Sequence, residues 1–423
     1  MNLLVVSFVL FLTSAAKAKY TQQHESYFST HTYYDLVRGD IPNFPECKAE
    51  RLWLFSRHGT RYPHHHELKA FNDLDDLRHR IIKNSEHHKR GTLSKDDLKL
   101  FKKWNLEVKK KDAGKITKSG EKELHHLGER LLQHFPQLLS SYSKDGVKIN
   151  TSSKKRTKQS AKAMLSGIYG QPPEVTDSMV NDDLLLVRGQ CPAWDESTES
   201  KEAKRESSSF KSGEVVQEVA KQVSDRLGFK DSLSVDTVET MYKMCGYEQA
   251  WHHKHTSPWC IPFSKDHLKV LEYLEDLKKY YKGAYGNPLS CKLGCRIVAD
   301  LNDSLKQAQR NVSLYFSHDE EMRVLLVGLG IAEDQKRPTA ANYAAMDSRQ
   351  WRTSKLIPFS ANILAVSYRC QNESDSKVGI FLNEHLLKLG KCQGQELCPL
   401  EQFLQAYSST VDPSICNMDF CTL

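Results

Sequence analysis

Residues 51–63 read RLWLFSRHGTRYP, an apolar run that ends in a polar turn built on a glycine. Residues 51–57 are short and apolar-rich and follow Pro45 and Cys47, the pattern of a buried strand closed by a turn. The turn carries His58 between Arg57 and Arg61. Cleaving a phosphate monoester without a metal needs a nucleophile for phosphorus, cations for the oxygens that gain charge, and an acid for the leaving alcohol. Histidine is a competent nucleophile when its other ring nitrogen is held by a hydrogen bond. Guanidinium forks match phosphate oxygens in pairs. Gly59 lets the backbone turn with no side chain in the way of a phosphate. The plain alternative is a solvated basic turn. Seven residues in this order at a strand end weigh against it far more than an Arg-His-Gly triplet would.

Two more strand ends offer groups of the same kind. Val147 to Ser152 reads as a strand and Thr157 to Tyr169 as a helix with Ala161, Met164, Leu165 and Ile168 inward. Between them lies TSSKKR (151–156), which puts Arg156 where open α/β sheets place their ligands. Its neighbours Lys154, Lys155 and Lys158 make an ordinary solvated charge the rival reading. Val312 to Ser317 reads as a strand and Glu320 to Leu329 as a helix, joined through FSHDEEM (316–322). There His318 can donate to a phosphate, and Asp319 or Glu320 can supply the leaving-group proton. The same two acids suit the first turn of a helix electrostatically.

Around these pieces, Leu124, Leu127, Leu131 and Leu132 mark one face of a helix from Ser119 to Phe135, with Ser119 as N-cap and Pro136 just beyond its end. Residues 361–368 and 378–382 are further apolar strands. Strand–helix alternation at both ends of the chain predicts an α/β fold with a parallel or mixed sheet. Residues 64–113, rich in Lys, Asp and His, predict loops and exposed helices. Residues 170–310 open with Pro172-Pro173, show helical stretches near 214–227 and 266–281, and lack a period-two pattern. The expected organisation is a catalytic core of 45–170 and 311–390, a helical insertion at 171–310, and a cysteine-containing tail at 391–423. A chain of 423 residues exceeds the usual single-core limit, which suits such a division.

Residues 3–16 are almost entirely apolar and are followed by Ala16-Lys17-Ala18, the pattern of a signal peptide cut after Ala18. A membrane anchor would need about 18 apolar residues, and no later segment approaches that. The closing NMDFCTL is neither a lipid-anchor signal nor a KDEL-type retrieval signal. Eleven cysteines, mostly in the second half, predict that most pair as disulfides in a secreted or lumenal protein, with at least one thiol free or paired elsewhere. Acceptor triplets for N-glycosylation begin at Asn150, Asn302, Asn311 and Asn372. Cysteine and histidine spacings fit no metal site, and the runs His64–His66 and His252, His253, His255 read as exposed loops. Trp259 beside Cys260 reads as core packing against a disulfide. The net charge of +7 has a bland reading, solubility, and a sharper one, an anionic small molecule held in a positive cleft. No nucleic-acid-binding module accompanies it.

The strand-end RHGxRxP, the later arginine and the C-terminal His-acidic motif, in this order, resemble the histidine acid phosphatases. More narrowly, SRHGTRYP (56–63), TSSKKR (151–156), SPWC (257–260), VLEYLEDLKKYY (270–281), LIPFSANILAVSYRC (356–370) and FLNEHLLKL (381–389) resemble the multiple inositol polyphosphate phosphatase subfamily. The resemblance spans about residues 45–390. It implies a phosphoglycerate-mutase-like sheet core with a helical insertion, and no metal or organic cofactor. It further implies His58 as nucleophile, with Arg57, Arg61, Arg156 and His318 binding the transferred phosphoryl group. The broad family's His-Asp would put the proton donor at Asp319; the subfamily's His-Ala-Glu would put it at Glu320. His318-Asp319-Glu320 satisfies both, and the better match of the distant segments favours Glu320. The implied substrates are anionic phosphate esters, foremost inositol polyphosphates including phytate. The alternatives are a broad acid phosphatase, a bisphosphoglycerate phosphatase, or an inactive binding protein on the same fold.

Overall fold

The computed structural model describes residues 26–253, 255–306, 310–371 and 373–422. The expected signal peptide at 1–18 and the Asn372 triplet lie outside them. Strands β1 (Cys47–Arg57), β2 (Val147–Thr151), β3 (Val312–Ser317), β4 (Asn362–Cys370), β5 (Ser376–Leu382) and β6 (His385–Leu386) form one sheet in the order β2-β3-β1-β4-β5-β6. A short β7 (Cys398–Pro399) pairs with β5. The β2–β3–β1 half is parallel, whereas β4 and β5 run antiparallel to their neighbours, so the sheet is mixed.

Alternate side chains of the central strands feed two separate cores, as the period of two requires. Leu52 and Leu54 of β1, Leu314 and Phe316 of β3, and Leu364 and Val366 of β4 pack on one face. Helices α3 (Lys118–His134) and α4 (Lys155–Tyr169) cover that face through Leu124, Leu127, Leu131, Ala161, Met164, Leu165 and Ile168. Trp53, Phe55, Tyr315, Ile363 and Ala365 point to the other face. Helices α9 (Ser290–Lys306) and α10 (Asp319–Leu329) cover it, and both sides of the strands are therefore apolar. Each leucine or isoleucine fully buried in these layers contributes about 1.5–3 kcal/mol.

Six further helices of nine or more residues lie among the described residues: α1 (His65–Glu86), α2 (Lys95–Lys103), α5 (Lys201–Ser212), α6 (Glu214–Arg226), α7 (Val235–Trp251) and α8 (Lys265–Gly283). Residues 64–113 are less open than expected. Leu68, Phe71, Leu74, Leu77 and Ile81 of α1 are buried, and Phe71 to Phe101 share a core with α6, α7 and α8. Thr117, not Ser119, caps α3, accepting from the Gly120 amide at 3.1 Å. Ser119 instead donates to the Ala250 carbonyl.

Ten of the eleven cysteines pair: Cys47–Cys370, Cys191–Cys421, Cys245–Cys260, Cys295–Cys416 and Cys392–Cys398, leaving Cys291 free and exposed. Such a set fits an oxidising compartment. Trp259 is fully buried against Phe101 and Trp104 beside the Cys245–Cys260 bridge. Of the glycosylation triplets, Asn311 is exposed, Asn150 donates to the Met179 carbonyl, and Asn302 is only 3% exposed on the inner side of α9. No helix among the described residues is long and apolar enough to cross a membrane.

Candidate active site

The three parallel strands stop level with one another. Arg57 lies opposite Ser317, and Thr151 opposite Phe316. The residues that follow, His58, Ser152 and His318, therefore leave the sheet together at its carboxyl edge, where open α/β sheets present their binding crevices.

His58 is 2% exposed, and its Nδ1 lies 2.9 Å from the Gly59 carbonyl oxygen. A carbonyl only accepts, so Nδ1 carries the proton and Nε2 keeps its lone pair. Burial holds the ring's pKa well below 6.5, aided by Arg156, Arg57, His318 and Arg61, so the imidazole is neutral. The turn beneath is fixed from several sides. The His58 amide donates to the Ser317 carbonyl, the Gly59 amide to Ser160 Oγ, and the Ser360 amide to the His58 carbonyl. Glu123 of α3 accepts from the Thr60 amide (3.1 Å), Thr60 Oγ1 (2.6 Å) and Ser360 Oγ (2.6 Å). The requirement for glycine at 59 differs from the one expected. A Cβ there would sit 2.4 Å from the Gly120 carbonyl oxygen, so Gly59 admits the backbone of α3.

The arginines are anchored by groups that sequence reasoning did not identify. Arg57 is buried and gives its Nη1 to the carbonyls of Thr30 (2.6 Å) and Ile357 (3.0 Å), with its guanidinium 4.7 Å above the Phe359 ring. Arg61 donates to Tyr247 Oη at 2.8 Å and the Tyr62 carbonyl at 2.9 Å, and pairs with Glu67 at 3.5 Å. Burial alone would raise the Glu67 pKa, but Arg61 and His31 outweigh it and bring the carboxyl to about 2. Glu67 had a sequence signal: it is the third residue after His64, and its carboxylate caps the His64 amide.

Arg156 stands in the first turn of α4, and its Nη2 donates to His318 Nδ1 at 2.9 Å. A guanidinium cannot accept, so His318 Nδ1 is unprotonated and its Nε2–H donates to Ser152 Oγ at 2.8 Å. Burial and Arg156 hold the His318 pKa well below 6.5. Its ring centroid is 5.5 Å from that of His58. Burial, with a smaller contribution from neighbouring arginines, also lowers the pKa of Arg57 and Arg156 to about 10. His58 and the four residues expected to bind phosphate, with the acids after His318, thus meet at one edge.

The acids differ sharply. Asp319 Oδ2 accepts from Lys279 of α8 at 3.0 Å and lies 3.6 Å from Arg323. Burial opposes ionisation there, yet Lys279, Arg323 and Arg57 hold the carboxyl well below the usual range. Glu320 is about a quarter exposed and lies 3.6 Å from Arg188. Glu321, buried, has its pKa pushed up to about 8 by burial and by Glu320. A neutral Glu321 completes a chain: Oε1 accepts from the Val187 amide, Oε2–H donates to Ser317 Oγ, and Ser317 donates to the Leu185 carbonyl.

A neutral imidazole nitrogen beside buried guanidinium groups, at the carboxyl ends of three parallel strands, is an arrangement that can receive a phosphoryl group. The chain belongs to the histidine phosphatase superfamily (branch 2), which matches residues 50–383, and is a phosphoric monoester hydrolase of the histidine acid phosphatase type. Its relatives include multiple inositol polyphosphate phosphatase 1 of Drosophila melanogaster, 31% identical over 409 residues that cover 93% of this chain and 87% of that one. The Homo sapiens protein of the same name is 29% identical over 406 residues, covering 87% and 83%. In fold, the chain is similar to the phytase from D. castellii, with a TM-score of 0.72 at 17% identity over 95% of this chain and 91% of that one.

Proposed function

We propose that this protein hydrolyses inositol polyphosphates, phytate-like substrates among them, through a phosphohistidine on His58, in a secreted or lumenal setting. The observation that carries the reading is the unprotonated Nε2 of His58, fixed by the Nδ1–Gly59 hydrogen bond and surrounded by Arg57, Arg61 and Arg156. Nε2 attacks phosphorus and the bond to the ester oxygen breaks. The arginines offset charge on the phosphoryl oxygens as it spreads. A phosphate dianion is a better acceptor for Arg156 than a neutral imidazole. Once Arg156 turns to the substrate, His318 Nδ1 is free to take a proton and donate to the phosphoryl group.

Glu320 serves as the proton donor in this reading. Asp319 is bonded to one cation, paired with a second and held ionised, which suits a structural anion and not an acid. Glu320 delivers its proton to the departing alkoxide. In the second step its carboxylate accepts a proton from the water that attacks phosphorus, and the P–N bond to His58 breaks. The reading needs no cofactor, because guanidinium groups supply the positive charge. Rapid-quench labelling with a radioactive phosphate ester tests it: an acid-labile, base-stable label should appear on the native enzyme and vanish in His58→Ala. Label on a serine would overturn the mechanism.

A further inference from the structure

A neutral hydroxyl stands between two largely buried charges of opposite sign. Arg61 Nη1 donates to Tyr247 Oη at 2.8 Å and lies 3.5 Å from Glu67 Oε2. A guanidinium only donates, so the hydroxyl accepts there and spends its own proton on Glu67, whose two oxygens are each 3.1 Å away. A direct arginine–carboxylate pair closes to about 2.7–2.9 Å. This pair stands open, with Tyr247 Oη in the nearer place. Glu67 is fixed from behind by the His64 amide at 2.7 Å. Tyr247 is fully buried on α7, with His31, Phe71 and Trp251 around its ring and the Cys245–Cys260 bridge two residues away. Arg61 Nη1 gives its other hydrogen to the Tyr62 carbonyl at 2.9 Å. Both Nη1 hydrogens are thus committed, and the Nε–Nη2 edge is left for phosphate oxygens.

We infer that Tyr247 is a positioning residue for phosphoryl transfer: its hydroxyl holds Arg61 in place while keeping the guanidinium off Glu67. The inference rests on the phosphatase reading above for the role of Arg61 at the transferred group. A carboxylate in direct contact would turn the fork away from the substrate and cancel part of the charge on which the transition state draws. The hydroxyl grips the same edge of Arg61 with a dipole in place of a charge, and its bond to Glu67 keeps that dipole aimed. Glu67 therefore steers Arg61 at one remove, and the arginine keeps its charge for the phosphoryl oxygens.

The test measures kcat/KM for an aryl phosphate, so it does not depend on which natural ester is cleaved. Tyr247→Phe keeps the ring and its packing but lets Arg61 close on Glu67. There kcat/KM should fall about tenfold, the lower end for loss of a hydrogen bond to a charged group. Adding Glu67→Gln should restore most of that loss, because the glutamine oxygen still caps the His64 amide but no longer draws the arginine with a full charge. A defect of packing alone would not be repaired by a change at Glu67. Glu67→Gln by itself should cost less than Tyr247→Phe, since the hydroxyl still holds Arg61. In an Arg61→Ala background, Tyr247→Phe should cost nothing further. An unchanged rate in Tyr247→Phe, a double variant no faster than it, or a larger loss in Glu67→Gln would overturn the inference. Arg61→Ala at the native rate would count instead against Arg61 in the phosphatase reading, and the inference would fall with it.

Discussion

Glu123→Gln separates two forces that act in opposite directions on one buried carboxyl. Glu123 is 3% exposed, and burial raises its pKa from 4.5 to about 7 even though three hydrogen bonds from Thr60 and Ser360 favour the charged form. A rise of that size is worth about 3 kcal/mol. Below pH 4.5 both folded and unfolded chains hold the proton, and no stability is lost. Between pH 4.5 and 7 the unfolded chain ionises first, so stability falls; above pH 7 the full loss of about 3 kcal/mol is in place. Glutamine has no such titration. Its oxygen can accept from the Thr60 amide and Ser360 Oγ, and its amide can donate to Thr60 Oγ1. Unfolding free energies of both proteins, measured with denaturant from pH 4 to pH 8, should show the variant gaining about 3 kcal/mol on the native protein as pH rises. Any constant cost of the amide cancels from that trend. A difference that stays flat, or that falls with pH, would mean the hydrogen bonds offset burial and would refute the reasoning.

Three other outcomes are expected. Arg156→Ala should lower kcat/KM by about 10²–10³, the usual worth of one donor to transition-state charge; steady-state kinetics on an aryl phosphate read it directly. The acid limb of kcat/KM should fall well below pH 6.5, because His58 must be neutral to attack and burial beside Arg156 and Arg57 keeps it so; a limb at or above pH 6.5 would contradict that environment. Glu320→Gln should slow hydrolysis of an inositol phosphate far more than that of an activated aryl phosphate, whose leaving group hardly needs a proton. Asp319→Asn should show a smaller change that ignores the leaving group, and the reverse pattern would assign the donor to Asp319.

What the sequence disclosed was local. Each strand ending that mattered carried an apolar run into a polar turn, so β1, β2 and β3 and the groups just past them could be read without neighbours. The mixed sheet was likewise within the expected range. Helix α7 escaped because Val238, Met241, Tyr242, Met244, Cys245, Tyr247 and Ala250 are buried on nearly all sides, which erases the stripe that marks an amphipathic helix. The buried face of α1 escaped for the opposite reason: its narrow apolar stripe, Leu68, Phe71, Leu74, Leu77 and Ile81, is hidden among charges. Tyr247, Glu123, Lys279 and the carbonyls of Thr30 and Ile357 were out of reach because they act on the site from remote segments. Nothing in their own surroundings in the chain records that contact.

The burial of Asn302 bears on how the chain is made. Glycan transfer acts on chains as they enter the secretory pathway, before α9 has packed, and a branched sugar is far too large for the inner side of that helix. In a chain that follows this route, modification at Asn302 and closure of the helical layer are mutually exclusive fates. On that route the triplet would act as a clock, comparing the speed of packing with the speed of the transferase. Sugar on Asn302 would brand molecules that lost the race, whereas Asn311, exposed a few residues later, can carry sugar in the finished enzyme.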